Sequence, residues 1–209
     1  MKKNNEYAGN SLHARIVILD NGHGDDTPGK CSPDKTFYEW KWNREFVQKL
    51  QIELEAEGYT VFVIVPEDND ISLTARANRA NKICNEYGAG NCIFISVHVN
   101  AAGMGNWMNA TGWSVWTTKG KTNSDKLAEY LCDACEPEGI KLRTDRSDGD
   151  KDYEANFTVI YKTICPAVLT ENLFMDNKSD LEILKSEDGI NKLISIHVNG
   201  INAYFDSIK

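Results

Sequence analysis

From one end of the chain to the other, short apolar runs alternate with longer segments in which apolar residues recur every three or four positions. That alternation predicts an α/β fold: three layers, with a six-stranded, mostly parallel mixed sheet flanked by helices. The runs place strands over 15–20, 60–65, 92–97, 112–117, 156–161 and 167–170. Between the first two, Phe46, Val47, Leu50 and Leu54 keep helical spacing from Glu39 until Gly58 stops them. Further helices are predicted over 72–87, over 124–135, and from Ser186/Glu187 to Phe205, where Ile190, Leu193, Ile194, Val198, Ile201 and Tyr204 form one apolar stripe.

No Gly/Ser/Pro-rich linker interrupts the 209 residues, so one domain over 14–209 is expected behind a polar 1–13 leader. The formal charge of −8 argues against nucleic acid or an anionic membrane as partner. No apolar run approaches the roughly 20 residues of a membrane span, and the leader lacks the apolar core of a secretory signal. As written, the chain starts in the cytosol. The six cysteines are expected as reduced thiols, and Cys132-x-x-Cys135 lies in a helical pattern without a second ligand pair.

Candidate chemistry gathers where three apolar runs end. The first runs into Asn21-Gly22-His23-Gly24, the third into His98-Val99-Asn100 and the last into Glu171. In a parallel sheet these carboxyl ends converge on one edge, the usual place for a site in open α/β folds. Two imidazoles and a carboxylate are a standard donor set for one catalytic zinc ion. Glu39, at a helix start just after the first loop, is the chosen third donor, with Asn43 one turn on to orient it. A helix-start carboxylate favoured by the macrodipole is the alternative reading of Glu39. Glu171 is left free to act as general base.

Those residues, in the order Asn21-Gly22-His23-Gly24, Glu39 with Asn43, Ser96-Val97-His98-Val99-Asn100 and Leu169-Thr170-Glu171-Asn172-Leu173-Phe174, resemble the zinc-dependent N-acetylmuramoyl-L-alanine amidases of the amidase_3 (AmiC/CwlV) type. The segment Ile71-Ser72-Leu73-x-x-Arg76 is similar to the family's as well. The resemblance implies that His23, Glu39 and His98 hold zinc and that Glu171 is the catalytic acid/base. It also implies that the substrate is the amide between N-acetylmuramic acid and the L-alanine of the peptidoglycan stem peptide. Two departures stand out. Asn21 replaces a proline and Asp25 a glycine in the first motif, and around the glutamate, where a Gly-Phe pair is common, Asn172-Leu173-Phe174 follows.

Peptidoglycan is thus the expected partner, together with an activating or targeting protein; the chain itself is expected as a monomer. It would act on the cell wall, as a phage-type lysin released from the cytosol or as an exported enzyme. A zinc peptidase on the same scaffold and a non-catalytic wall-binding module are the alternatives. Asn100, Trp107, Arg143, Arg146 and Asn172 are the candidate substrate contacts. Of Trp113 and Trp116, strand alternation sends one to the core. His13 and His197 read as surface or core-edge residues. Asp148, Asp150 and Asp152 alternate like the opening of a calcium loop, but Tyr153 and Val159 occupy the places of its glycine and closing glutamate, so a solvated loop is expected.

Overall fold

The computed structural model describes residues 15–208. The predicted leader, with His13, lies outside the described residues. One sheet is built from β1 (Ile16–Asn21), β2 (Thr60–Val63), β3 (Cys92–Asn100), β4 (Ser114–Thr117), β5 (Tyr153–Glu154) and β6 (Ala167–Phe174), in the spatial order β2-β1-β3-β6-β4-β5. β2, β1, β3 and β6 run parallel; β4 is antiparallel to β6, with β5 parallel to β4. The sheet is therefore mixed and mostly parallel, as the alternation predicted.

Strand periodicity divides the core. Val17 and Leu19 of β1 face a cluster that includes Ile93, Ile95 and Val168, covered by α1 (Glu39–Ala56), α3 (Asn123–Cys135), α5 (Lys178–Lys185) and α6 (Glu187–Asp206). Ile16 and Ile18 face the other way, onto Phe94 and Leu169 beneath α2 (Leu73–Tyr87) and α4 (Thr158–Tyr161). Because both faces are covered, β1 is buried along its whole length, which is why it reads as an unbroken apolar run. Trp113 is the core tryptophan, while Trp116 stacks on Tyr153. All six cysteines are free thiols, with Cys132 and Cys135 buried in α3.

The structure corrects two elements. Residues 156–161 form no strand: Thr158–Tyr161 is a helical turn that buries Val159 and Ile160, and the sheet takes its remaining strand from the two residues Tyr153 and Glu154. The eight-residue α5 was not anticipated; Asn177 caps it by accepting from the Ser179 and Asp180 amides.

His197 is also corrected. It lies on α6 with no exposed surface, its ring edge-on to Phe46 and Trp113. Nδ1 donates to the Leu193 carbonyl at 2.7 Å, leaving Nε2 to accept from Thr170 Oγ1 at 3.1 Å. Burial holds its pKa down at about 4. The unfolded chain therefore takes up the extra proton first, so the stabilisation is complete above pH 6.5 and drains away as pH falls toward 4. Between pH 7.5 and 5 the parent chain is expected to lose about 2 kcal/mol more stability in urea unfolding than His197→Asn. Equal pH slopes for the two proteins would remove His197 from the account.

Candidate metal centre

The carboxyl ends of β1, β3 and β6 lie side by side, with Asn21 opposite Val97 and His98 opposite Glu171. His23 follows β1 in a left-handed backbone conformation, φ 64°, which a non-glycine residue adopts only when its surroundings hold it there. The holding groups are visible. The His23 carbonyl accepts from Arg44 at 3.1 Å and Arg76 at 3.2 Å, and the Gly22 carbonyl accepts from Asn43 Nδ2 at 3.1 Å. Gly22 itself is required by space: a Cβ there would stand 2.2 Å from the His98 ring. Asn43 therefore secures the loop that carries His23 and does not touch Glu39 as expected.

Glu39 opens α1 and is buried. Its Oε1 accepts from the Val99 amide at 3.1 Å and stands 3.1 Å from His98 Nδ1 and 3.4 Å from His23 Nε2. Its Oε2 is buried with no partner. One donor atom from each of the three residues lies within 4.8 Å of the others, and among the described residues no other His/Cys/Asp/Glu group of three is so arranged. Burial pulls the His23 pKa down to about 4, against the pull of Glu39, so that imidazole is neutral and ready to donate a lone pair. Burial would raise Glu39, but the hydrogen bond and charge of His98 hold it low, as a carboxylate. Two imidazoles, an anionic oxygen and an orphaned second oxygen suit a divalent metal ion.

Behind the donors runs a chain of polar groups that the sequence reading did not foresee. Ser96 Oγ donates to Asp20 Oδ2 at 2.6 Å, so it accepts from His98 Nε2 at 3.2 Å. The network thereby fixes the ring: Nε2 donates to Ser96 and Nδ1 faces Glu39 and His23; burial would lower the His98 pKa, but the hydrogen bond and charge of Glu39 raise it. Asp20 is completed by Arg76 Nη1 at 2.7 Å. Apart from the similarity of the Ile71–Arg76 segment, nothing local marks these residues, since Asp20 and Arg76 meet across 56 positions of chain.

Glu171 sits beside the donor set with Oε2 buried and unpartnered. Burial pushes its pKa up to about 7; His98 pulls it back, Glu39 adds to the rise, and Lys30 and Arg143 oppose it. Lys30, another residue not foreseen, acts on His23 and Glu39 as well. Beyond Glu171, β6 carries one residue more than β3, so that Asn100 pairs with Phe174. Leu173 takes up this bulge at φ 65°, a conformation suited to glycine.

Of the candidate substrate contacts, Asn172 is corrected: it is fully buried, accepting from Trp113 Nε1 at 3.0 Å and donating to the His98 carbonyl at 3.0 Å. It positions β3 against β6. Asn100 folds its side chain onto the Ala101 amide. Trp107 is 37% exposed, with Lys178 Nζ 5.4 Å from the centre of its ring. Arg143 lies over the rings of Phe174 and Tyr153, and Arg146 is exposed three residues further along the chain.

The fold is shared with known proteins. The crystal structure of an N-acetylmuramoyl-L-alanine amidase from Clostridium difficile 630 superposes with a TM-score of 0.80 at 28% identity, covering 94% of this chain and 100% of that one. In sequence the chain is 29% identical to the N-acetylmuramoyl-L-alanine amidase CwlM of Bacillus licheniformis and to the endolysin of Bacillus phage SPP1. Those alignments cover 92% and 90% of this chain but 70% and 65% of the relatives' own lengths. A family profile described as N-acetylmuramoyl-L-alanine amidase matches residues 17–203, which takes in all of the sheet but Ile16 and every donor of the centre. The chain belongs to the Amidase_3 family of N-acetylmuramoyl-L-alanine amidases.

Proposed function

We propose that the chain hydrolyses the amide between the lactyl carboxyl of N-acetylmuramic acid and the L-alanine of the peptidoglycan stem peptide, using one zinc ion held by His23, Glu39 and His98. The observation that carries this reading is the position of Glu39 Oε1, 3.1 Å and 3.4 Å from the two imidazole nitrogens. Donors about 2.0–2.1 Å from a tetrahedral zinc lie about 3.3 Å apart. Zinc in such a site supplies Lewis acidity, which makes water available as a nucleophile near neutral pH and draws charge from a carbonyl oxygen.

The chain's own residues do the rest. Glu171, kept half-protonated near neutrality by burial, takes a proton from the attacking water and returns it to the alanine nitrogen as the C–N bond breaks. The water oxygen ends in the lactyl carboxylate and the nitrogen leaves as a free amine. Ser96 and Asp20 hold His98, and Asn43, Arg44 and Arg76 hold the His23 loop, so the donors are set before substrate arrives. Peptidoglycan is then the partner the site serves, and the cell wall the place of action. Among the described residues no helix is long and apolar enough to cross a membrane.

Purified peptidoglycan digested with zinc-loaded and with chelator-stripped protein, and read by mass spectrometry, tests the reading. The expected products, formed only with zinc, are free L-alanine amino termini and glycans that retain their lactyl groups. Cleavage within the stem peptide would move the activity to a peptidase, and no cleavage by zinc-loaded protein would leave a binding module.

A further inference from the structure

Beyond the donors, the carboxyl edge of the sheet holds a cavity of about 460 Å³, within the size range of small-molecule sites. Its walls continue the segments that carry the chemistry. One wall is the 29–35 segment, which folds back on the start of α1: the Glu39 amide donates to the Lys30 carbonyl at 3.0 Å, and Cys31 pairs with Tyr38. The facing wall is the 101–105 loop, which leaves the end of β3 just past His98. Asp176, just past the end of β6 and Glu171, ties that loop down. Its Oδ2 accepts from the Ala102 and Gly103 amides, both at 2.8 Å, and its carbonyl accepts from the Met108 amide at 2.7 Å.

Holding the loop uses only one of the two carboxylate oxygens. Asp176 is 2% exposed, and its Oδ1 is buried with no hydrogen-bond partner. Among the residues that line the cavity, no other side chain leaves a buried polar atom unmatched. An anionic oxygen kept from water without a donor costs free energy, which a ligand bearing a donor recovers. The rest of the lining narrows the kind of ligand. Lys35, exposed, brings a positive charge to the rim, and Pro33 and the fully extruded Met104 add apolar surface between the two charges.

The charges choose between the two halves of the substrate. On the glycan side the lactyl carboxyl is consumed in the scissile amide, so the sugar offers no ionised group. The peptide side carries free carboxylates and amines. We infer that this cavity receives the stem peptide, with Asp176 Oδ1 accepting from a protonated side-chain amine and Lys35 facing a carboxylate of the same peptide. This inference rests on the amidase reading above and adds to it a choice among stem peptides: those with a basic residue are favoured over those without one.

The probes are the tripeptide L-Ala-γ-D-Glu-L-Lys and its norleucine counterpart, which lacks only the terminal amine. Each is titrated into zinc-loaded protein in a calorimeter, and each is also offered as its N-acetylmuramoyl amide for hydrolysis. The lysine peptide is expected to bind about 10–100-fold more tightly, the size of a charge-assisted hydrogen bond, and the preference to appear in KM more than in kcat. Asp176→Asn keeps an oxygen for the Ala102 and Gly103 amides and sets an N–H donor where Oδ1 stood, so the preference should shrink below about three-fold. Lys35→Gln, at an exposed position, should weaken both peptides alike by about 3–10-fold. Equal binding of the two peptides to the parent chain overturns the inference, as does a preference that survives in folded Asp176→Asn. Should that variant not fold, undiminished peptide affinity in Lys35→Gln overturns it instead. Hydrolysis of both muramoyl peptides without an amine preference would remove the subsite and leave the amidase; amine-dependent binding without hydrolysis would keep the subsite and remove the amidase.

Discussion

Glu171→Gln is expected to lose about 10²–10⁴-fold in turnover on peptidoglycan while binding zinc as tightly as the parent chain. The size comes from the role. Glutamine keeps the shape and the burial of the side chain but can neither accept a proton from water nor return one to the leaving nitrogen. Zinc binding is spared because Glu39, His23 and His98 complete the donor set without Glu171. Any change in binding is expected to be a slight weakening, since the variant removes none of the donors but takes a partly ionised carboxylate from beside the cation. Turnover is measured as free amino termini released from peptidoglycan, and zinc affinity by competition with a chromophoric chelator. Turnover within ten-fold of the parent would end the acid/base assignment; a large loss of zinc would make Glu171 a ligand.

The residues proposed to do the chemistry stand out in the sequence because each closes a buried strand or opens a helix. β1, β3 and β6 are covered on both faces, so their apolar runs stop abruptly, and a histidine at the carboxyl end, His23 or His98, stands out against them. The supporting groups were not legible in the same way. Asp20 and Ser96 lie in apolar runs, where a single polar residue reads as a flaw until its partner is seen, and the family-like segment that ends on Arg76 gives no sign of which residues the guanidinium meets. Asn172 comes directly after Glu171, so strand alternation sends it to the opposite face, where it is buried against Trp113 and Thr170. Short elements failed for a different reason. Residues 156–161 carry apolar side chains over too few positions for a period of two to be told from one of 3.6, and the two-residue β5 has no period at all.

Arg76 is where that hidden layer can be tested with the largest stability effect. Its guanidinium and Nε make five bonds at 1% exposure: to Asp20 at 2.7 Å, Asp70 at 2.8 Å, and the carbonyls of Ile71 at 2.7 Å, Asn21 at 2.8 Å and His23 at 3.2 Å. Arg76→Met is expected to cost about 3–5 kcal/mol in denaturant unfolding, because it strands the Asp20 carboxylate in a site where water cannot replace the lost partner. The strained His23 backbone loses one of its two clamps at the same stroke, so zinc affinity should fall about 10–100-fold in whatever protein remains folded. The alternative account is that Arg76 matters only for the space it fills, and methionine keeps most of that volume. Asp20→Asn separates the two. If stranded charge dominates, the Arg76→Met/Asp20→Asn double variant recovers a large part of the stability lost by Arg76→Met alone, with a coupling energy of about 1–3 kcal/mol. Asparagine still offers Ser96 an acceptor, so His98 keeps its orientation and zinc affinity recovers with the stability. A double variant no more stable than Arg76→Met would mean that the cost lies in the three abandoned carbonyls. The His23 loop, and not the Asp20 pair, would then be what Arg76 is there to hold.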